Sequence, residues 1–312
     1  MAAREKIAIL IPCYNESLTI TGVIEDYRRQ YPTAIIYVYD NNSTDNTAAI
    51  ARAARAEVRF ARRRGKGNVV AAMLTDIEAD CYLITDGDDT YPAADTAVLV
   101  DDVLHHDIDM AIGDRLSSSY FTENRRPFHN SGNRLVRWLI NRIFNSSVND
   151  IMTGSRALSY RFAKNFPAMS PGFEIETEMT IHALDKGFNI SEHPVGYRDR
   201  PQGSVSKLST FSDGFKVLRT IFMLFRDFRP LQFFSILSAV ISLISVIMAI
   251  PVFVEYFETG LVPRFPTLIF SCFMFIFAML LFATGLILDS IKRRDRVAFR
   301  LRMIDFNRLN KQ

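Results

Sequence analysis

The run Asp86-Gly87-Asp88-Asp89 sets two carboxylates at i and i+2 on a short turn, directly after the apolar stretch Cys81 to Thr85. Carboxylates so placed can converge on one hard cation. Mg²⁺ or Mn²⁺ takes oxygen ligands and completes its shell with water and substrate phosphate. A cation held by Asp86 and Asp88 would neutralise the charge that develops on a departing nucleotide diphosphate. An acidic turn by itself is more often a solvated turn or a helix cap. Two further polar clusters weigh against that reading here. Tyr14-Asn15-Glu16 follows the apolar run 7–12, and Asp40-Asn41-Asn42 follows the β-rich run 35–39. All three clusters stand at the ends of strand-like segments.

Asp40 can accept a hydrogen bond from a base N–H or a ribose hydroxyl, as acids do in other doubly wound nucleotide sites. The alternative is a cap for the next helix, which Asp45 fills better. Arg64-Gly65-Lys66-Gly67-Asn68 places glycines and cations in a loop before a helix, where backbone N–H groups and Lys66 can meet phosphate or base. The run Arg62-Arg63-Arg64 reads as a solvated face. No aromatics are interleaved with that run and no known module accompanies it, so no nucleic-acid partner is expected. His105, His106, His129, His182 and His193 have no metal-ligand spacing. Cys13, Cys81 and Cys272 are too few and too scattered for a disulfide framework or a zinc site, and read as small apolar residues in a reducing compartment.

The elements that must position these residues follow from periodicity. Strands are expected over 7–12, 35–39, 81–85 and 108–112. Helices are expected over 17–30 (with Ser17 as N-cap), 45–56, 67–79 and 92–106. The alternation implies a parallel sheet with helices on both faces. Ligands of such sheets bind beyond the carboxyl ends of the strands, where the polar clusters lie.

The composition changes near residue 230 of 312. Leu231 to Val254 and Thr267 to Leu288 carry no charge. Each is long enough to cross a hydrocarbon core, which takes about 20 apolar residues. A buried hairpin in a soluble domain is the alternative. Lys207, Lys216, Arg219, Arg226 and Arg229 precede the first stretch. Lys292, Arg293, Arg294, Arg296, Arg300 and Arg302 follow the second, whereas the linking segment has only Arg264. Basic flanks face the cytoplasm. The expected organisation is a cytoplasmic catalytic domain over 1–207, a juxtamembrane amphipathic helix over 208–230, and transmembrane helices over 231–254 and 267–289. An external loop over 255–266 joins the spans, and a basic cytoplasmic tail covers 290–312. Both termini are then cytoplasmic, and no signal-peptide pattern precedes residue 7. The 208–230 segment interleaves Phe211, Phe215, Phe222 and Phe225 with Lys216, Arg219, Arg226 and Arg229, which suits an interfacial helix on anionic headgroups. Arg200, Ser204, Ser206 and Lys207 offer cations and hydroxyls on a Gly-containing segment just before the membrane, where a lipid phosphate would arrive. Attraction to anionic lipid alone is the other reading.

The ordered set Ile11-Pro12-Cys13-Tyr14-Asn15-Glu16, Tyr39-Asp40-Asn41-Asn42-Ser43-Thr44-Asp45 and Asp86-Gly87-Asp88-Asp89 strongly resembles glycosyltransferase family 2. Within that family the chain is similar to the polyisoprenyl-phosphate glycosyltransferases, relatives of dolichyl-phosphate mannose synthase, over nearly its whole length. The resemblance implies a GT-A (Rossmann-like) fold: a mostly parallel sheet with helices on both faces, followed by a juxtamembrane amphipathic helix and two transmembrane helices. It implies that Pro12, Tyr14, Asn15 and Glu16 contact the nucleotide, that Asp40 and its neighbour Asn42 serve the base, and that Asp86 and Asp88 hold the metal. Relatives carry Gln shortly after those acids, whereas this chain continues Asp89-Thr90-Tyr91-Pro92, so the third metal contact is open. Further matches fall on Gly113-Asp114-Arg115, on Asp150-Ile151-Met152-Thr153-Gly154 with Ser155-Arg156, and on Gly172-Phe173-Glu174-Ile175-Glu176. A last match is the loop from Tyr197 through Arg200, Ser204 and Ser206 to Lys207. Asp150 would orient acceptor or sugar, lie near the metal, or cap its own turn. Glu174 or Glu176 would accept a sugar hydroxyl. The resemblance also implies a nucleotide-sugar donor (UDP-glucose or UDP-N-acetylglucosamine first, mannose or galactofuranose donors open), a polyisoprenyl-phosphate acceptor, inversion at the anomeric carbon and a homotetramer. Transfer to a hydroxyl acceptor and a non-catalytic scaffold are the rival readings.

Overall fold

The computed structural model describes residues 5–117, 127–198 and 222–309. The chain divides into two compact units, 1–210 and 211–312. In the first unit the strands are β1 (Ile7–Cys13), β2 (Ile35–Asp40), β3 (Glu57–Phe60), β4 (Cys81–Ile84), β5 (Met110–Asp114), β6 (Arg156–Ser159) and β7 (Ile190–Pro194). The helices are α1 (Ile20–Gln30), α2 (Thr47–Ala53), α3 (Lys66–Asp76), α4 (Ala97–His105), α5 (Pro127–Phe144), α6 (Tyr160–Asn165) and α7 (Ile175–Lys186). One sheet takes all seven strands in the order β3-β2-β1-β4-β6-β5-β7.

The order reverses between β1 and β4. β2 lies parallel to β1 on one side, with Cys13 opposite Asp40, and β4 lies parallel on the other. A crevice beyond the carboxyl ends of β1 and β4 is the topological switch point of such a sheet. Ala8, Ile9, Leu10 and Ile11 are 0% exposed, so β1 is covered on both faces, which is why it reads as a continuous apolar run. The four expected strands are present as β1, β2, β4 and β5. The sheet is mostly parallel, with one departure: β6 runs antiparallel to both β4 and β5.

Helix starts also differ from the periodicity. α1 begins at Ile20 after Thr19, not at Ser17, because the Ser17 N–H is drawn to Asp45 Oδ2 at 3.2 Å. The helix expected from 92 opens with a 3-10 turn over Ala93–Thr96 before α4. Asp45 accepts from the Thr47 N–H at 3.0 Å and so caps the first turn of α2.

The second unit holds α8 (Pro230–Thr259) and α9 (Phe265–Leu309), two helices long and apolar enough to cross a membrane by length and composition. Residues 222–228 are helical, and 208–221 of the expected interfacial helix lie outside the described residues. The charge-free stretches stop short of the helices: α8 runs on to Thr259, and α9 carries its basic end as continuous helix to Leu309. Small residues line the α8–α9 contact. The Ser238 hydroxyl donates to the Ala278 carbonyl and the Ser245 hydroxyl to the Ser271 carbonyl, both at 2.7 Å. A Cβ on Gly285 would come within 2.8 Å of Phe234 Cβ, so glycine sets the helix spacing there.

One buried acid ties the far half of the sheet together. Asp109 is 1% exposed. It accepts from Arg161 Nε at 2.7 Å, from the Ser159 hydroxyl at 3.0 Å and from the Asn189 N–H at 3.0 Å, joining the starts of β5 and β7 to the end of β6. Removing one partner of a buried charged network strands the others. Asp109→Ala is expected to cost about 3 kcal/mol, measured as a lower urea midpoint of the full chain in detergent.

Candidate active site

Each strand-end cluster turns through a residue with left-handed backbone: Asn15 (φ 56°), Asn42 (φ 62°) and Asp89 (φ 61°). Asn and Asp tolerate this region better than other residues with a Cβ. The loops after β1 and β2 are laced into one body. The Asn15 N–H donates to Ser43 Oγ at 3.0 Å, the Thr44 N–H returns to Asn15 Oδ1 at 2.8 Å, and the Glu16 N–H donates to Thr47 Oγ1 at 2.9 Å. The acidic turn after β4 is held from α1. The Tyr27 hydroxyl donates to Thr85 Oγ1 at 2.9 Å, and the Thr19 hydroxyl to the Gly87 carbonyl at 2.7 Å. Gly87 lies over Cys13, whose Sγ would be 2.8 Å from an added Cβ.

These loops enclose a cavity of about 290 Å³ at the switch point. Of the residues singled out from sequence, Pro12, Tyr14, Glu16, Lys66, Asp86 and Asp88 line it. Asn41, Arg64, Gly65 and Phe173 complete much of the wall. Asn42 does not line it, and donates to the Ala61 carbonyl at 3.2 Å instead. Asn41 takes the wall position and accepts from the Gly65 N–H at 2.7 Å. Asn15 is occupied by Ser43 and Thr44. Asp40 is 2% exposed behind the wall. Its Oδ2 accepts from the Ser43 N–H at 3.2 Å, while its Oδ1 is buried without a hydrogen-bond partner among the described residues. A buried carboxylate oxygen in that state calls for a donor, and a nucleobase N–H is of the right kind.

The 64–68 loop corrects one expectation. The Gly67 N–H donates to the carbonyls of Pro171 and Gly172, each at 3.1 Å, and the Asn68 N–H to Pro171 at 3.4 Å. These amides are spent inside the protein and do not face a phosphate. The glycines serve close packing: a Cβ on Gly65 or Gly67 would overlap the carbonyl oxygen of Pro171 or Ser170. Glu178 holds the opposing segment by accepting from the N–H groups of Met169 at 2.8 Å and Ser170 at 2.7 Å.

What this loop brings to the cavity is the Lys66 ammonium, 2.5 Å from Asp86 Oδ1 and 2.5 Å from Glu176 Oε1. Burial works to remove its proton. The Asp86 and Glu176 carboxylates outweigh burial and hold the ammonium above its ordinary value. Burial pushes Glu176 up, and Lys66 opposes it. Of the two glutamates, Glu176 is 7% exposed and paired with Lys66, Glu174 is exposed at the start of α7, and neither lines the cavity.

Asp150 and Arg115 form an ion pair at 2.9 Å, and neither lines the cavity. Asp150 also accepts from the Met152 N–H at 3.2 Å, so it caps its own turn, and Arg115 donates to the Met152 carbonyl at 3.0 Å. Arg156, fully buried, grips the same turn from behind through the carbonyls of Ile151 at 2.6 Å and Thr153 at 3.1 Å. Burial pulls its guanidinium down to about 10. Tyr91 follows the acidic turn and is buried. Its hydroxyl accepts from the Gly154 N–H at 3.1 Å, locking the 150–154 turn onto the acidic turn. Gly154 is pressed so closely on Asp86 that an added Cβ would overlap the carboxylate. Tyr91 carried no sequence signal of its role, because its partner Gly154 is 63 residues along the chain, and nothing in the sequence marks Arg156 as buried beneath its own turn. Arg200, Ser204, Ser206 and Lys207 lie outside the described residues.

Asp86 and Asp88 bring hard oxygen donors to the cavity wall, with Glu16 beside them. No group of three or more His, Cys, Asp or Glu converges as a metal site among the described residues. That donor set fits a divalent cation that takes two carboxylates and draws its other ligands from water and phosphate.

Comparison with known proteins agrees with this geometry. The profile of glycosyl transferase family 2 matches residues 8–165. Glycosyltransferase AglJ of Haloferax volcanii is 33% identical over 236 residues, which cover 75% of this chain and 77% of its own. The dolichyl-phosphate hexose transferase of the same organism is 27% identical over 217 residues, covering 70% of this chain and 92% of its own. Among solved structures, glucosyl-3-phosphoglycerate synthase from Mycobacterium tuberculosis, in complex with Mn²⁺, UDP-glucose and phosphoglyceric acid, superposes with a TM-score of 0.55 at 21% identity. The match covers 71% of this chain and 79% of that one. At that identity the likeness shows the fold, a GT-A arrangement.

The contact of Gly154 with Asp86 generates a prediction. Gly154→Ala should displace the Asp86 carboxylate and weaken Mn²⁺ binding at least about tenfold, the equivalent of 1.4 kcal/mol. Calorimetric titration of Mn²⁺ checks this, with an unchanged far-UV spectrum as the control.

Proposed function

The chain belongs to glycosyl transferase family 2, and we propose that it moves a sugar from a nucleotide diphosphate, UDP by preference, to a polyisoprenyl phosphate. The observation that carries this reading is the Asp86–Asp88 pair on the wall of a cavity at the switch point, with the partnerless Asp40 Oδ1 behind the same wall. The two apolar helices and the lipid-phosphate acceptor named for the Haloferax dolichyl-phosphate hexose transferase support the acceptor class. The UDP-glucose in the mycobacterial complex supports the donor class. UDP-glucose and UDP-N-acetylglucosamine lead as donors.

In this reading Asp40 accepts the base N–H, and Tyr14 and Asn41 border the nucleoside. Asp86 and Asp88 hold Mg²⁺ or Mn²⁺, which supplies charge neutralisation for the leaving diphosphate. Lys66 adds a positive charge at the same place. The acceptor phosphate oxygen attacks the anomeric carbon as the bond to the diphosphate oxygen breaks, and one displacement inverts that centre. The attacking oxygen is already anionic near neutral pH, so no side chain has to remove a proton from it. Positioning and electrostatics are then the main contributions. Asp150, tied to Arg115, holds the turn that sets Asp86, and its role is positioning. Arg200, Ser204, Ser206 and Lys207 receive the acceptor phosphate. The helices anchor the protein in a membrane, with the catalytic unit and both termini cytoplasmic, as the basic flanks favour.

The test is transfer from radiolabelled UDP-sugars to polyprenyl phosphate by the full chain in lipid. Lipid-linked label that disappears with EDTA and returns with Mn²⁺ is expected. Asp88→Asn should lower turnover by at least about a thousandfold, in line with losing a main electrostatic element, with an unchanged melting curve. Label passing to a hydroxyl acceptor and not to the lipid would overturn the acceptor assignment.

A further inference from the structure

Asp86 has little freedom. Its Oδ2 is pressed against Gly154, and its Oδ1 is taken by Lys66. The Lys66 side chain is 9% exposed, and its charge is balanced by two carboxylates at once. A divalent cation entering the cavity therefore meets an Asp86 carboxylate that already carries a positive partner. Two cations at contact distance from one oxygen repel strongly in a site of low dielectric. Glu176 supplies the second half of the arrangement. It is buried, lies 2.5 Å from the same ammonium, and does not line the cavity, so it can keep Lys66 when Asp86 lets go. The lysine stem has the flexibility for that short movement.

We propose that Lys66 is a positioning residue that exchanges partners, standing on Asp86 in place of the divalent cation and moving to Glu176 and the donor diphosphate when the cation arrives. The proposal rests on the reading of the cavity as the nucleotide-sugar site. It goes beyond a static phosphate contact, because it couples two ligands. The cation alone has to displace Lys66 without offering it a new partner. The cation together with a diphosphate returns a partner to the ammonium. Cation and nucleotide then bind with positive coupling, reciprocal by linkage.

The experiment measures Mn²⁺ affinity of the full chain in detergent, by electron paramagnetic resonance, with and without UDP. Wild-type protein is expected to bind Mn²⁺ weakly alone and at least about tenfold more tightly with UDP, within the usual range of such coupling. Lys66→Met should tighten binding of Mn²⁺ alone by about tenfold and lose most of the enhancement by UDP. Glu176→Gln, which leaves Lys66 to Asp86, should weaken binding of Mn²⁺ alone by a similar factor. Damage to the fold would weaken both variants, so opposite signs report the exchange itself. If Lys66→Met does not fold, Lys66→Gln, which keeps a polar group between the two acids, takes its place with the same expected sign. Weaker or unchanged Mn²⁺ binding in Lys66→Met, or unchanged binding in Glu176→Gln, overturns the exchange. Wild-type binding with UDP that Asp88→Asn abolishes would keep the donor site while the exchange falls. No wild-type binding with UDP would overturn both.

Discussion

Burial pushes the Cys13 thiol well above its ordinary value, and after burial the causes are the carboxylates of Glu16, Asp40, Asp86 and Asp88. The carboxylates of Glu16, Asp86 and Asp88 stand on the cavity wall, and Asp40 is buried at the end of β2. Arg64 and Lys66 are the cations on the cavity wall among the described residues, and Lys66 is shared between two acids. A diphosphate entering such a place meets like charge. Either the ligand stays out or a further cation enters with it, and the latter is how oxygen-rich sites accept phosphate. A divalent cation entering with the diphosphate would balance the charge of the cavity, a reason for one that is independent of any motif.

Bringing so many acids together requires backbone to approach backbone, and that is where the glycines act. Gly65 and Gly67 let the start of α3 close on the 170–172 segment, Gly87 lets the acidic turn lie over Cys13, and Gly154 lets the 150–154 turn press on Asp86. Those turns are fastened by residues outside the chemistry. Tyr91 fixes Gly154, Arg156 grips Ile151 and Thr153, and Asp150 pairs with Arg115. The 150–154 turn is thus a buttress for the Asp86 carboxylate, and disturbing it would be felt at that side chain before it is felt in the fold.

The sequence made some of this legible and concealed the rest for identifiable reasons. β1, β2 and β4 stand at the centre of a covered sheet and read as plain apolar runs, so the polar residues at their ends could be located. β3 and β7 are edge strands with partly exposed polar residues, and β6 is four residues beginning with a buried arginine. β3 alternates over only the four residues Glu57-Val58-Arg59-Phe60, too short a run to stand out, and β6 and β7 have neither the alternation nor the apolarity that marks a strand. Contacts local to one turn were also readable, as with Asp45 and α2. Lys66 and Glu176 are 110 residues apart, and no pattern in either segment announces their pairing. The resemblance pointed to Asp150 with three roles open, and its pairing with Arg115 is a contact that a one-dimensional reading cannot place.

The nature of the acceptor ties the chemistry to these packing facts. A sugar hydroxyl must lose a proton as it attacks, so a site for it keeps a carboxylate free to receive that proton. Here two of the buried acids that the resemblance singled out are engaged: Glu176 with Lys66, and Asp150 with Arg115 and the Met152 N–H. A phosphate acceptor brings its negative charge already formed, and what it needs from the protein is cations to bring two anions together. A site rich in paired acids, with a lysine able to change partners, suits the second demand better than the first. The same chain carries two helices apolar enough to lie in lipid. A phosphate on a long apolar tail satisfies both halves of the molecule with one ligand.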